Sequence, residues 1–252
     1  MSQSEIQIAA ISDIHGNRWA LEAVLTDIGR RGIRSIVNLG DSLYGPLAPL
    51  ETAELLLRVD WPAVRGNEDR LIVAASYGSE DSPTMQYVRN SLKQEHLDWL
   101  AGLELTTVVH DRFRLCHGSP TRDDEYLLQE VTQKGVRQRD SDAIMSQLVD
   151  VEQPVVLCGH DHSPRMVRLP NGKLIVNPGS VGLPAYSDGV PHPHVMETGN
   201  ADARYAIVGW SPAGWQVENV AVAYDWESAA ATACRNGRAD WGQWLRSGRA
   251  CS

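Results

Sequence analysis

An apolar run that ends in an aspartate and a histidine constrains this chain more than any other feature of its sequence. The run from Ile6 to Ile11 is short, rich in isoleucine and soon followed by Gly16, a pattern typical of a buried β-strand. Asp13 and His15 come just after it, and the ligands of open α/β sheets bind in the crevice at the carboxyl ends of strands. Side chains two residues apart point the same way from an extended backbone. A carboxylate and an imidazole that converge in this way suit a metal such as Mn, Fe or Zn.

The same unit, a strand followed by a carboxylate, recurs further along the chain. Residues 19–31 carry apolar side chains at helical spacing and end at Gly32, a usual residue just past a helix. A second apolar run, Ser35 to Leu39, is followed by Asp41. Strand, helix and strand in this order predict a βαβ unit with parallel strands, so that Asp13 and Asp41 emerge side by side. Two adjacent carboxylates would repel each other without a cation, which favours a metal between them.

Three further apolar runs end in polar residues that can bind a metal. A helical pattern over 49–59 and the run 61–64 lead to Asn67, and we predict a third strand before it. Strands predicted over 113–116 and 154–158 precede histidines. Each of these polar residues taken alone has an ordinary explanation as a turn residue, but their joint arrangement favours a metal site. Seven such side chains lie at five successive predicted strand ends: Asp13, His15, Asp41, Asn67, His117, His160 and His162.

The remaining segments predict supporting structure. Residues 70–104 and 121–150 are expected to be helical and loop insertions, and the acidic triplet 123–125 is expected to be a solvated loop. The Asn-Gly pair at 171–172 predicts a β-hairpin turn. No linker, repeat or low-complexity tract interrupts the sequence, so we predict a single domain over residues 1–252, of the α/β class with mixed strands.

Charge and composition exclude several kinds of partner. The chain of 252 residues has a formal net charge of −9 and no run of basic residues, which argues against binding to duplex nucleic acid or to an anionic membrane. Its four cysteines form no CxxC pair, and its first five residues lack the basic start and apolar core of a signal peptide. We therefore expect a cytoplasmic protein, and we leave open whether it forms a homo-oligomer.

Aromatic and cysteine side chains outside the seven residues have simpler explanations. Cys116 and Cys158 lie on apolar strands and are expected to be small core residues. The His192-Pro193-His194 loop either borders the site or is an ordinary loop. Core packing or a dimer interface explains the C-terminal tryptophans better than base stacking does. These are Trp210, Trp215, Trp226, Trp241 and Trp244, and the segment from residue 226 onward is predicted to be helical.

Taken in order, the series Asp-x-His, Gly-Asp, Gly-Asn, His-Gly and Gly-His-x-His resembles the calcineurin-like metallophosphoesterases. The segment Asn-Pro-Gly-Ser-Val-Gly at 177–182 is similar to the small prokaryotic phosphodiesterase (YfcE-like) branch of that superfamily. The resemblance implies two packed mixed β-sheets flanked by helices, with the ligands on loops at one end. It assigns Asp13, His15 and His162 to a first metal ion and Asn67, His117 and His160 to a second. Asp41 matches the carboxylate that bridges the two ions.

The resemblance also implies an activity. Two transition-metal ions, of which Mn is favoured and Fe, Zn or Ni are alternatives, would lower the pKa of a bridging water and hold a phosphoryl group for in-line attack by hydroxide. The expected partner is a small phosphorylated substrate, and a phosphodiester is favoured. Alternatives are a dinucleoside polyphosphate hydrolase or a phosphoprotein phosphatase of the same superfamily. A non-catalytic scaffold of this fold is expected to have lost ligands, whereas all seven are present here.

The sequence departs from the family pattern directly after Asn67. Much of the superfamily has a histidine there as a candidate general acid, and this chain has Glu68. Glu68 could protonate a leaving oxygen if its pKa were raised, or it could be a supporting or solvated carboxylate. Arg65 could bind a phosphate oxygen in a bidentate contact, or it could form a surface salt bridge.

Overall fold

Two mixed β-sheets form the centre of the molecule. The computed structural model describes residues 6–75 and 82–250, and all structural statements concern these residues. The strands are β1 Ile6–Ile11, β2 Ser35–Asn38, β3 Thr106–Val109, β4 Phe113–Cys116, β5 Gln129–Thr132, β6 Gly135–Gln138, β7 Val155–Leu157, β8 Arg165–Arg168, β9 Leu174–Asn177, β10 Ala185–Asp188, β11 His194–Glu197, β12 Ala203–Ser211 and β13 Gly214–Val222. The first sheet has the order β13-β12-β1-β2 and the second β3-β4-β7-β9-β8, while β5–β6 and β10–β11 are separate hairpins.

Both sheets combine parallel and antiparallel pairs. β1 pairs in parallel with β2 and antiparallel with β12. In the second sheet, β7 pairs in parallel with β4 and β9, and β3 and β8 close the two edges antiparallel. The parallel βαβ unit predicted from residues 6–39 is therefore present. The hairpin predicted at the Asn-Gly pair joins β8 to β9, where Gly172 has φ +87°.

Eight helices among the described residues flank the sheets. They are α1 Arg18–Arg30, α2 Pro49–Leu56, α3 Asn67–Ala74, α4 Pro83–Ser91, α5 Gln94–Ala101, α6 Ser141–Gln147, α7 Trp226–Arg235 and α8 Ala239–Ser247. None of them is long and apolar enough to cross a membrane. The predicted helical C-terminus corresponds to α7 and α8, and the predicted helical insertion 70–104 contains α4 and α5. Residues 76–81 of that insertion and residues 1–5 lie outside the described ranges.

The alternation of side chains along β1 explains why residues Ile8 to Ile11 are all apolar. Ile8 and Ala10 pack with Phe113 and Leu157 of the second sheet in one buried cluster, so the two sheets lie face to face. The intervening side chains of β1 instead join the cluster formed with α1 and its neighbours. Because both faces of β1 are covered from Ile8 to Ile11, these four positions are apolar, whereas Gln7 is exposed. Each large side chain buried there contributes about 1.5–3 kcal/mol. The expected architecture of two packed mixed sheets flanked by helices is confirmed.

Three local predictions differ from the structure. Residues 61–64 form only isolated bridges, Asn38 to Ala63 and Val64 to Glu104, rather than a third strand, because Pro62 has no N–H to donate. Asn67 therefore begins α3 instead of following a strand. The insertion 121–150 contains the unpredicted hairpin β5–β6 in addition to α6. Its acidic triplet is not simply solvated, since Asp123 is buried.

Candidate metal centre

The seven predicted ligands meet at one end of the two sheets. Their loops follow β1, β2, β4 and β7, except that Asn67 is presented by the start of α3. Asp13, His15 and His162 place one ligand atom each within 4.8 Å of one another. A second group, Asp41, His117 and His160, does the same, and Asp13 Oδ1 lies 3.8 Å from His117 Nε2 between the groups. The structure thus joins side chains separated by up to about 150 positions in the sequence.

The backbone that presents these side chains is left-handed rather than extended. Asp13 has φ +55° and His15 has φ +52°, so the assumption that they converge from an extended strand is wrong. Asp41, His160 and His162 share this conformation, with φ between +53° and +71°. A non-glycine residue in the left-handed region costs about 1–3 kcal/mol, and such strain clusters at functional sites where the surrounding structure holds it. Tight turns, not strand pleating, therefore aim the ligands.

Residues 177–182 support the first ligand loop. Gly182 lies against the backbone of Ile14, and a Cβ atom added at this glycine would collide with the Ile14 carbonyl oxygen. Gly182 N also donates to the Asp13 carbonyl oxygen at 2.9 Å, and Ser180 Oγ donates to the same oxygen at 2.8 Å. The turn between Asp13 and His15 is therefore held by hydrogen bonds from Ser180 and Gly182, and at Gly182 there is no space for a side chain.

Hydrogen bonds determine which nitrogen of each imidazole is free. The Nδ1 atoms of His15, His117 and His162 contact the carbonyl oxygens of Tyr44, Leu39 and Leu183 at 2.9, 2.8 and 2.7 Å. A carbonyl oxygen only accepts, so Nδ1 carries the proton in each ring, and in the neutral ring Nε2 has a lone pair. His15 Nε2 and His162 Nε2 nevertheless lie 3.1 Å apart. Two facing lone pairs repel unless a cation lies between them.

The atoms without hydrogen-bond partners also fit bound cations. Asp13 Oδ1, Asn67 Oδ1 and His117 Nε2 are buried and have no partner among the described residues. Leaving a buried polar atom unpaired costs about 1–3 kcal/mol, so a cluster of such atoms at one point needs an explanation. Imidazole nitrogens bound through Nε2, with Nδ1 donating to a carbonyl, are the usual arrangement of histidine ligands. The donor set of nitrogen and carboxylate or amide oxygen suits transition-metal ions.

The electrostatic environment keeps most of these groups in the form that binds a metal. Burial raises the pKa of the Asp13 carboxyl, but His162 and His117 outweigh it and lower that pKa well below its usual range. Burial and the neighbouring histidine lower the pKa of His15 and of His160 to about 4. His117 behaves differently: burial lowers its pKa, but the carboxylates of Asp41 and Asp13 raise it to about 10.

Asp69 is a supporting residue that was not selected from the sequence. It is fully buried, and its carboxylate accepts hydrogen bonds from the backbone N–H groups of Asp41 (2.8 Å), Ser42 (2.9 Å) and Gly66 (3.0 Å). It thereby joins the loop that presents Asp41 to the loop that presents Asn67. An aspartate three residues into a helix is a frequent capping residue, and this was the available signal.

A cavity of about 270 Å³ opens onto the ligands. Glu68 lines it, and its backbone N–H donates to Asp41 Oδ1 at 2.9 Å. Burial, followed by the charges of Asp41 and Asp69, raises the pKa of Glu68 to about 8. In the metal-free protein, Glu68 therefore has the raised pKa that a general acid requires. Beyond the ligands and Glu68, the cavity wall contains tyrosines, tryptophans and one arginine that the sequence did not select: Tyr44, Tyr126, Tyr186, Arg238, Trp241 and Trp244.

Arg65 does not line this cavity. Its Nε lies 3.3 Å from Asp123 Oδ2, and Arg70 forms a closer pair with the same carboxylate at 2.9 Å. Both arginines border a separate surface depression together with Thr121. Of the two roles weighed for Arg65, the salt bridge describes its observed contacts, and its placement gives no support to substrate binding.

The histidine loop and the cysteines have clear positions. His194 is buried and begins β11, where its Nε2 hydrogen-bonds with the Tyr126 hydroxyl at 3.1 Å. The Tyr126 ring lies 4.7 Å from the ring of His160, so His194 contacts a side chain that contacts a ligand. Cys116 and Cys158 are buried in the apolar cluster beneath α6, as predicted.

Known proteins resemble this chain in sequence and in fold. An uncharacterised protein of Methanocaldococcus jannaschii, MJ0912, is 27% identical over 93% of this chain and 94% of its own length. The crystal structure of a metallophosphoesterase from Sphaerobacter thermophilus has a TM-score of 0.76 at 25% identity and covers 97% of this chain and 100% of the other. The hypothetical protein PH1004 from Pyrococcus horikoshii shares the fold, with a TM-score of 0.73 at 20% identity over 97% and 99% of the two chains.

The family itself is shown by sequence. A family model described as the calcineurin-like phosphoesterase superfamily domain matches residues 6–200, more than three quarters of the chain. This range contains all seven candidate ligands and both sheets except β12 and β13. The chain therefore belongs to the calcineurin-like phosphoesterase superfamily.

Proposed function

We propose that this protein is a dinuclear metal-dependent phosphodiesterase that hydrolyses a small phosphoester. The observation that carries the proposal is the pair of adjoining ligand groups. Within the first group, His15 Nε2 and His162 Nε2 lie only 3.1 Å apart, and a cation between them would remove the repulsion of their lone pairs. When bound, two metal ions supply an activated water and stabilise the charge that develops on the phosphoryl group. Family membership supports phosphoester hydrolysis in general.

Each ligand has a proposed place. Asp13, His15 and His162 hold one ion, and Asn67, His117 and His160 hold the other. Asp41 is proposed to bridge the ions, in agreement with its Oδ2 at 3.2 Å from His117 Nε2 and its backbone N–H fixed by Asp69. Manganese is the favoured metal, and iron, zinc and nickel are the alternatives that the same nitrogen and oxygen donors accept.

A second cavity supports a diester over a monoester as substrate. It has a volume of about 720 Å³, and Ser187 and Asp188 line both it and the cavity at the ligands. The hairpins β5–β6 and β10–β11 border it, with Val136 and Val195 among its apolar residues. A phosphodiester has an organic group on each side of phosphorus, so the second group would have a partly apolar place to bind.

Glu68 is the proposed general acid. It lines the cavity, and in the metal-free protein burial and the charges of Asp41 and Asp69 raise its pKa to about 8, in the direction that a general acid requires. Its carboxyl would donate this proton to the leaving oxygen. This role replaces the histidine that much of the superfamily has at the corresponding position.

A substrate panel tests the proposal. The metal-free protein is loaded with Mn, Ni, Zn or Mg singly and assayed on phosphodiesters, phosphomonoesters, a dinucleoside polyphosphate and a phosphopeptide. We expect activity that chelator removes and the highest kcat/KM on a diester. A dinucleoside polyphosphate or phosphopeptide as the best substrate would select one of the alternative activities. Two bound metals with no hydrolysis of any substrate would favour the scaffold.

A further inference from the structure

One wall of the candidate site comes from a part of the chain beyond the matched family region. The family match ends at residue 200, and α7 and α8 lie after it. Their apolar side chains form one buried cluster with Leu47 and Leu183. Leu183 also accepts the hydrogen bond from His162 Nδ1. The C-terminal helix pair is therefore packed directly on the scaffold of a candidate metal ligand.

Trp241 fixes the position of α8 over the site. It is only 3% exposed, and its ring meets the imidazole of His15 edge-on, with ring centroids 5.7 Å apart. Gly45 packs so closely beneath it that a Cβ atom there would lie 2.9 Å from Trp241 Cζ3. This contact leaves α8 little freedom to shift, so side chains at its start have a fixed position relative to the ligands.

Arg238 is the residue just before α8, and its guanidinium contacts three side chains, those of Asp240, Thr84 and Trp241. Nε and Nη2 donate to the carboxylate of Asp240 at 2.9 and 2.7 Å, and Nη1 donates to Thr84 Oγ1 at 2.9 Å. The guanidinium carbon lies 5.4 Å from the centroid of the Trp241 ring. Three of the five N–H donors of an arginine are thus used and the Tyr44 hydroxyl also lies against the guanidinium, so at most two donors on the terminal nitrogens remain for an anion.

The charges around the cavity give Arg238 a function. The carboxylates of Asp41 and Asp188 line the cavity beside the carboxyl of Glu68, and Arg238 is the one arginine or lysine among its described lining residues. A phosphoester is anionic, and away from the metal ions it would meet these carboxylates. A planar guanidinium with free donors binds phosphate oxygens in a directional contact that offsets this repulsion.

We infer that Arg238 binds a non-bridging phosphate oxygen of the substrate and positions it over the metal site. The inference rests on the proposed function, since it names a further residue of the same site. It also gives α8 a role in substrate binding in addition to core packing. Arg65, the arginine selected from the sequence, lies against Asp123 instead.

Binding of inorganic phosphate to the metal-loaded protein tests this role directly. We expect Arg238→Gln to weaken phosphate affinity, measured by titration calorimetry, by about ten-fold or more, the usual effect of losing a charge-assisted hydrogen bond. KM for a phosphoester should rise by a similar factor, with a smaller change in kcat. Arg238→Lys should be intermediate, because it keeps the charge and loses the planar donors.

Arg246→Gln is the matched control. Arg246 lies on the same helix, pairs with Glu227 at 2.7 Å and does not line the cavity, so phosphate affinity should be unchanged. Metal content and melting temperature are measured for every variant. If Arg238→Gln does not fold, Arg238→Lys is the variant compared with the wild type, and a phosphate affinity that is weakened to a smaller extent is expected.

Phosphate affinity and KM that stay at the wild-type values in a folded Arg238→Gln or Arg238→Lys protein with both metals bound would overturn the inference. The failure of the proposed function has a different signature. In that case the wild-type protein hydrolyses no phosphoester. The inference is then still tested by calorimetry, which compares the affinity of the wild type and of Arg238→Gln for inorganic phosphate.

Discussion

The carboxylate of Asp69 accepts a hydrogen bond from the backbone N–H of Asp41 at 2.8 Å. Asp41 is a candidate bridging ligand with φ +53°, and Asp69 is the acceptor that holds its peptide group in that strained turn. The same carboxylate binds the N–H of Gly66, just before Asn67. One buried side chain thus sets the relative position of two candidate ligands without itself facing the metal ions.

Replacing Asp69 should destabilise both the fold and the metal site. Asp69→Ala leaves three buried N–H groups unpaired, and we expect a loss of about 3 kcal/mol or more in the free energy of unfolding. Asp69→Asn keeps one acceptor oxygen and should lose less. Urea denaturation and metal analysis measure both effects. Asp142→Ala, at an exposed position of α6, is the control, and an Asp69→Ala protein as stable as this control would contradict the assignment.

Asp41→Asn should harm activity more than the loss of a ligand that serves one ion. The bridging carboxylate would act on both ions at once, so we expect a loss in kcat above about 100-fold, which exceeds the usual effect of changing a residue that only supports a ligand. Asn67→Ala is the comparison. Turnover near that of the wild type in Asp41→Asn, with two metals bound, would show that Asp41 does not bridge.

Metal binding should release a proton at neutral pH. In the metal-free protein the carboxylates of Asp41 and Asp13 outweigh burial and raise the pKa of His117 to about 10, so this imidazole is protonated at pH 7 and must lose its proton to bind a metal. His15 and His160, with pKa values of about 4, are already neutral. Affinity should therefore rise with pH, by about ten-fold per unit for one proton, until the pH approaches 10.

Calorimetry in two buffers checks this proton release. The apparent heat of binding should change with the ionisation enthalpy of the buffer, by an amount that corresponds to about one proton at the second site. Both metals should be removed by chelator, and phosphoesterase activity should disappear with them. Only trace metal after reconstitution would contradict the metal assignment as a whole.

Glu68→Gln should slow alkyl esters far more than nitrophenyl esters. A nitrophenolate leaves without a proton, whereas an alkoxide needs one, and general acid catalysis contributes about 10²–10⁴-fold where it operates. The nitrophenyl substrate is the internal control, and the metal content should be unchanged. Equal losses on both substrates, or no loss on either, would leave Glu68 with a structural role.

Gly182→Ala should destabilise the chain, whereas Gly29→Ala should not. A Cβ atom at Gly182 would collide with the backbone of Ile14, and overpacking of this kind costs about 1–3 kcal/mol or more. Gly29 lies in α1 with open space around it, so alanine there should stabilise the helix by about 0.5–1 kcal/mol. Thermal denaturation compares the two. Equal stability of both variants would show that the turn at Ile14 tolerates a shift.

The metal centre was largely predictable because its residues lie close to strands that are easy to recognise. An apolar strand such as β1 is visible in the sequence, since burial on both faces demands consecutive apolar side chains, here Ile8 to Ile11. Parallel strands then bring their carboxyl ends to one edge whatever the details of the loops, so Asp13 and Asp41 had to be neighbours. The strand ends fix where the loops that carry the candidate ligands lie, while the left-handed turns at Asp13 and His15 fix how their side chains point.

The residues that surround the metal centre were not predictable in the same way. Arg238 and Tyr126 come from a helix start and a loop whose position depends on packing between distant segments, and no local period or spacing marks them. Arg65, two residues from Asn67 in sequence, is directed to Asp123 by the insertion 121–150. The sequence alone therefore determined the sheets and the candidate metal ligands, because hydrophobic periodicity and strand polarity are local properties. Tertiary structure alone decided which charges face the cavity, because that depends on where segments far apart in the chain pack against each other.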